Sequence, residues 1–156
     1  MRSTKVKKGQ LIQRQGALDS KVYKVESGLL RSYSIDDKGK EHIYMFAPEN
    51  WLMADNCDVK RPCELFIDAL EDSVLIVSEK AETIQNADVH SLVNRLLTLQ
   101  HRIIKLMSSS TIERYEDFIA TYPGIVQRVP QRMIASYLGI TPEALSKVKG
   151  DKARSK

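Results

Sequence analysis

The stretch Gln131-Arg132-Met133-Ile134-Ala135-Ser136-Tyr137-Leu138-Gly139-Ile140-Thr141-Pro142-Glu143-Ala144-Leu145-Ser146-Lys147-Val148 decides the fold of this 156-residue chain. It reads as helix, turn, helix. Pro130 suits the first turn of the first helix, and Ala135 is small where a second helix must cross closely. Gly139 supplies a left-handed turn residue. Thr141 can cap the next helix, with Pro142 at its first position and Glu143 near its positive end. Ile134, Leu138, Ile140, Leu145 and Val148 take the inward positions. An ordinary helical hairpin needs no such register, whereas a helix-turn-helix that lays its second helix in a DNA major groove does.

If Leu145 and Val148 face the first helix, then Glu143, Ala144, Ser146 and Lys147 lie on the other side or the flank. Glu143 can accept from cytosine N4, and Lys147 can donate to guanine O6 or N7. Gln131, Arg132 and Thr141 lie near helix starts and suit phosphate contacts. Plain solvation accounts equally well for any single one of these seven. The charge distribution favours a polyanionic partner. Residues 1–88 carry 13 Lys and Arg against 15 Asp and Glu, a net of −2, whereas residues 125–156 carry 7 against 2, a net of +5. A basic end is the footprint of nucleic-acid contact, although a solvated lysine-rich surface has the same composition.

Upstream, Val89, Leu92, Val93, Leu96, Leu99, Ile103, Leu106 and Met107 recur at three- and four-residue steps, with Leu97 and Ile104 widening the stripe. The spacing predicts a helix over about 89–107 with Asp88 as its N-cap. Such a stripe can pack lengthwise on the rest of the chain. Its width also leaves Leu92, Leu96, Leu99, Ile103 and Met107 for pairing with the same helix of a second copy. Ser108-Ser109-Ser110-Thr111 interrupts the pattern and can cap or bend the helix. A further amphipathic helix runs from Thr111 to Tyr122 and ends at Pro123-Gly124.

The first 80 residues read as short strands separated by turns: 11–14, 21–25, 29–35, 41–47, 64–70 and 74–77. Asp36-Asp37-Lys38-Gly39 makes the hairpin between the third and fourth. This even spacing predicts an antiparallel roll of jelly-roll type. The long irregular stretch is Pro48 to Cys63, and loops of that size are often functional. The fold class is therefore α+β, with a roll at 1–87, a long helix at 88–110 and a helix-turn-helix domain at 111–156. The 42% hydrophobic and 28% charged residues argue against disorder. No apolar run approaches the roughly 20 residues of a membrane span. The basic start leads into Gly9-Gln10 instead of an apolar segment, so neither a signal peptide nor a membrane partner is expected. Two cysteines, Cys57 and Cys63, fit a reduced cytoplasmic compartment and predict no structural zinc or iron–sulfur centre.

Strand-rich roll, long helix and terminal helix-turn-helix together resemble the Crp/Fnr family of bacterial transcription regulators. The resemblance spans nearly the whole chain and includes Gly9, Gly16, Gly28 and Gly39, the Val25-Glu26-Ser27-Gly28 turn and the Gly39-Lys40-Glu41 hairpin. It implies a cyclic-nucleotide-binding-type roll, a homodimer, near-palindromic promoter sites and RNA polymerase as a partner. It assigns the recognition helix's acid to Glu143 and its distal base-reading basic residue to Lys147. The first basic residue of that helix falls on Pro142, so target preference should differ from that of the best-known members. In cyclic-AMP-binding members a Gly-Glu-Leu and a later Arg-Ser-Ala make the phosphate cassette. Here the aligned positions are Met53-Ala54-Asp55 and Glu64-Leu65-Phe66. A carboxylate at Glu64, in place of the phosphate-pairing Arg, repels a cyclic phosphate. Trp51, Met53 and Glu64 are the candidate residues of any effector pocket, and the effector itself stays unassigned. The family's leading helix and its wing hairpin have no counterpart in the sequence.

The function expected is thus a DNA-binding regulator, not an enzyme, with no cofactor. The alternative is an effector-sensing or protein-interaction module that no longer binds DNA. A metal-dependent cupin lacks the closely spaced His pair and carboxylate its site needs, because His42, His90 and His101 are isolated in sequence.

Overall fold

The computed structural model describes residues 2–55, 60–86 and 88–154, with Ser91 described by its backbone alone. The chain divides into two compact units, Met1–Ala87 and Asp88–Lys156.

Short strands that turn their apolar residues inward build the first unit. Its strands are β1 (Arg2–Val6), β2 (Leu11–Gln13), β3 (Lys21–Ser27), β4 (Leu30–Ile35), β5 (Glu41–Ala47), β6 (Leu52–Ala54), β7 (Phe66–Ala69) and β8 (Ser73–Glu79). They form two four-stranded antiparallel sheets, ordered β1-β8-β3-β6 and β2-β7-β4-β5. Val6, Tyr23, Val25, Met53 and Leu75 from the first sheet meet Leu30, Met45, Ala47, Ile67 and Ala69 from the second in one buried cluster. The short helix α1 (Lys80–Gln85) follows β8.

Two strands depart from the sequence expectation. β1 is polar apart from Val6 because it is an edge strand, paired only with β8 (Arg2↔Val77 to Val6↔Ser73). β6 lies inside the stretch expected to be irregular, and of its three residues only Met53 is buried. The remaining differences are shifts of strand ends by up to two residues. Cys57 lies outside the described residues; Cys63 is buried.

The hairpin after β4 is held by an Asx turn. Asp36 Oδ1 accepts from the backbone N–H groups of Lys38 and Lys40 at 2.9 and 3.0 Å, and its Oδ2 meets His42 Nε2 at 2.8 Å. The His42 ring and these N–H groups hold the Asp36 carboxyl below the ordinary range.

The second unit is helical: α2 (Val89–Ser108), α3 (Thr111–Thr121), a 3-10 turn at Ile125–Gln127, α4 (Gln131–Leu138) and α5 (Pro142–Arg154). The Asp88 carbonyl accepts the Leu92 N–H at 3.2 Å, which puts Asp88 at the start of α2. Within the serine run, Ser110 caps α3. Its hydroxyl accepts from Glu113 N–H, and the Glu113 carboxylate accepts from Ser110 N–H in return, completing a capping box. Among the described residues no helix is long and apolar enough to cross a membrane.

Candidate nucleic-acid interface

The turn between α4 and α5 follows from its sequence residue by residue. Pro130 sits just before α4 with φ −59° and ψ 143°, one position earlier than the first-turn placement expected of it. Gly139 takes φ 67°, and two backbone bonds close the helix end: Gly139 N–H to Ser136 O at 3.1 Å and Ile140 N–H to Ala135 O at 3.0 Å. These are the paired bonds of a Schellman ending. Thr141 Oγ1 then accepts from Ala144 N–H at 3.2 Å, and Pro142 opens α5.

Ile134, Ala135, Leu138 and Leu145 are fully buried between the helices, while Ile140 and Val148 are half-buried. The opposite side is open. Gln131, Arg132, Thr141, Glu143, Ser146 and Lys147 are exposed, and Ala144 is half-buried. Glu143 stands three and four residues before Ser146 and Lys147, so the three share one exposed stripe of α5. Glu143 is already engaged. Its own backbone N–H and the Thr141 hydroxyl donate to its carboxylate and hold its pKa below the ordinary value.

α5 runs from Pro142 on to Arg154. Part of the basic tail is therefore helical surface. Lys152 does not stand free for a phosphate, because its Nζ pairs with Glu116 Oε1 of α3 at 3.0 Å. Arg154 is exposed in the last turn, and Lys156 lies outside the described residues.

Three positioning residues have no sequence signal. Arg114 of α3 donates from Nη1 to the Leu138 carbonyl at 3.0 Å and from Nε to the Ser109 carbonyl at 3.2 Å. Arg102 of α2 lies 4.0 Å over the Tyr137 ring. Tyr137 in turn packs with Phe118 and Tyr122, ring centroids 5.2 and 5.6 Å away. Apart from the Arg114–Ser109 bond, these contacts join residues 15 to 35 apart, a separation no local periodicity reports.

On α2, Leu92, Leu96, Ile103 and Met107 are 53, 65, 57 and 83% exposed, and Leu99 is half-buried. Val89, Leu92, Leu96, Leu99, Ile103 and Leu106 follow the alternating three–four step of a coiled-coil seam. In the roll, Met53 is fully buried in the core and Trp51 packs against that core, whereas the Glu64 side chain is exposed. The three are thus not gathered on one surface. Among the described residues no group of three His, Cys, Asp or Glu could hold a metal ion.

No protein-family model matches the chain. Over 173 aligned residues it is 25% identical to the regulatory protein HlyX of Actinobacillus pleuropneumoniae, covering 96% of this chain and 70% of that protein. The structure of FixK2 from Bradyrhizobium japonicum superposes with a TM-score of 0.82 at 18% identity, over 99% of this chain and 85% of that one. A CRP/FNR-family transcriptional regulator of Thermus thermophilus, TTHA1359, gives a TM-score of 0.74 at 17% identity, over 99% and 87%. The fold is that of these regulators: antiparallel roll, long helix and helix-turn-helix.

Proposed function

We propose that this chain, built on the Crp/Fnr fold and similar in sequence to a regulatory protein over nearly all its length, is a Crp/Fnr-type transcription regulator that binds near-palindromic duplex DNA as a homodimer. The observation that carries the proposal is the exposed stripe Glu143, Ser146 and Lys147 on a helix whose other side is sealed by Leu145. The roll (1–87) is the sensor-like domain, α2 the dimerisation element and 111–156 the DNA-binding domain. The compartment is the cytoplasm, and RNA polymerase is the protein partner a promoter-bound regulator meets.

Selection of bound sequences from random duplexes tests this directly. Two α5 helices in successive major grooves stand about 34 Å apart, so an inverted repeat one helical turn between half-site centres is expected. Enrichment of no sequence would overturn the reading and leave an effector-sensing module in its place. Lys147→Ala is expected to weaken the selected site by about 1–3 kcal/mol and relax preference at one position per half-site. Arg154→Ala should weaken all duplexes about equally and lower the salt slope by about one unit. Lys152→Ala is a different probe, because it also breaks the pair with Glu116, an exposed contact worth about 0–1 kcal/mol.

Cyclic AMP is not expected to bind. Glu64 stands where the resembled family pairs the phosphate with Arg, and calorimetric titration should give no heat at micromolar ligand. A micromolar dissociation constant would refute this.

A further inference from the structure

Among the described residues Asp55 is the most buried charged residue of the roll, at 2% exposure. A carboxylate so placed is costly unless several donors surround it. Three N–H groups converge on its Oδ2: the backbone N–H of Glu64 at 2.8 Å, that of Leu65 at 2.7 Å and Gln13 Nε2 at 3.3 Å. Successive backbone N–H groups aimed at one point make an anion-binding concavity. The segment holding the carboxylate is anchored too, since Lys80 Nζ, itself buried, donates to the Asp55 carbonyl at 2.6 Å.

We propose that the Glu64–Leu65 segment leading into β7 is an oxyanion cradle and that Asp55 is its resident anion, so that the roll supplies its own ligand and is closed to small soluble oxyanions. The cradle rests on the roll's geometry alone and needs neither dimerisation nor DNA binding. A soluble oxyanion would have to expel a fully buried carboxylate and lie beside its charge.

Chemical rescue tests the cradle with formate as the probe. Asp55→Ala is expected to lower Tm by about 10 °C, from the loss of charge-assisted hydrogen bonds. Formate should then raise the variant's Tm with a saturable dependence on concentration. Chloride at equal ionic strength should not, and wild type should respond to both salts alike. Formate stabilising the variant no more than chloride would overturn the proposal. If Asp55→Ala does not fold, Asp55→Asn decides, because it keeps the volume and removes the charge. The Glu64 and Leu65 amide protons should then move upfield and exchange faster than in wild type. Unchanged resonances and an unchanged Tm in that variant would equally overturn it.

Discussion

Gly28→Ala is expected to cost about 3–5 kcal/mol of stability, a large fraction of the 5–15 kcal/mol a domain has to lose. Gly28 has φ 94°, and an added Cβ would collide with Ser73 Oγ and stand 2.7 Å from both the Asp72 carbonyl oxygen and Ser73 Cβ. Ser73 cannot step aside cheaply. Its hydroxyl donates to the Glu71 carbonyl at 2.8 Å and accepts from Leu29 N–H at 3.2 Å, while Gly28 N–H donates to Glu49 Oε1 at 3.1 Å. Gly39 separates the two contributions. Its φ is 77°, but nothing lies within 4 Å of its missing Cβ. Gly39→Ala should therefore carry only the left-handed penalty of about 1–2 kcal/mol. Denaturant unfolding of both variants measures the difference. A Gly28→Ala loss no larger than that of Gly39→Ala would show that Ser73 yields after all.

The second large effect concerns assembly. Leu96→Glu or Ile103→Glu should turn a dimer into a monomer by light scattering. Affinity for the inverted repeat should fall about 10²–10⁴-fold, because the second half-site is no longer engaged intramolecularly. Binding to an isolated half-site should hold. Both side chains are mostly exposed within the chain, so neither substitution removes core packing. A wild-type protein that is monomeric at high micromolar concentration would end the dimer proposal.

What the sequence made legible was local. Gly139, Thr141 and Pro142 each act within four residues, so the turn and the start of α5 could be read outright. Strands β3 to β5 are rich in β-branched and aromatic residues and are marked off by Gly28 and Gly39. β1 and β6 escaped because an edge strand with one buried residue has no alternation to detect. The end of α5 carries no local signal, because the helix passes straight through Gly150, a residue type that commonly ends helices. Arg31 could not be anticipated either. It sits in β4 buried among apolar neighbours because Asp68, its register partner, and Glu41 both bind its guanidinium. Asp55 belongs to the same class, its donors coming from 9, 10 and 42 residues away.

The contacts of two arginines around the break between α2 and α3 have a mechanical consequence. Arg114 grips Ser109 and Leu138 together, and Arg102 clasps Tyr137 from the last turns of α2. The break at Ser109–Ser110 is thereby braced, and the helix-turn-helix inherits its heading from the end of α2. In the proposed dimer a small roll of one seam helix about the other becomes a yaw of both reading helices. Operator spacing is then gauged by the seam. A substitution there that turns α2 without separating the subunits should retune the preferred spacer by whole base pairs, with every base-reading side chain untouched.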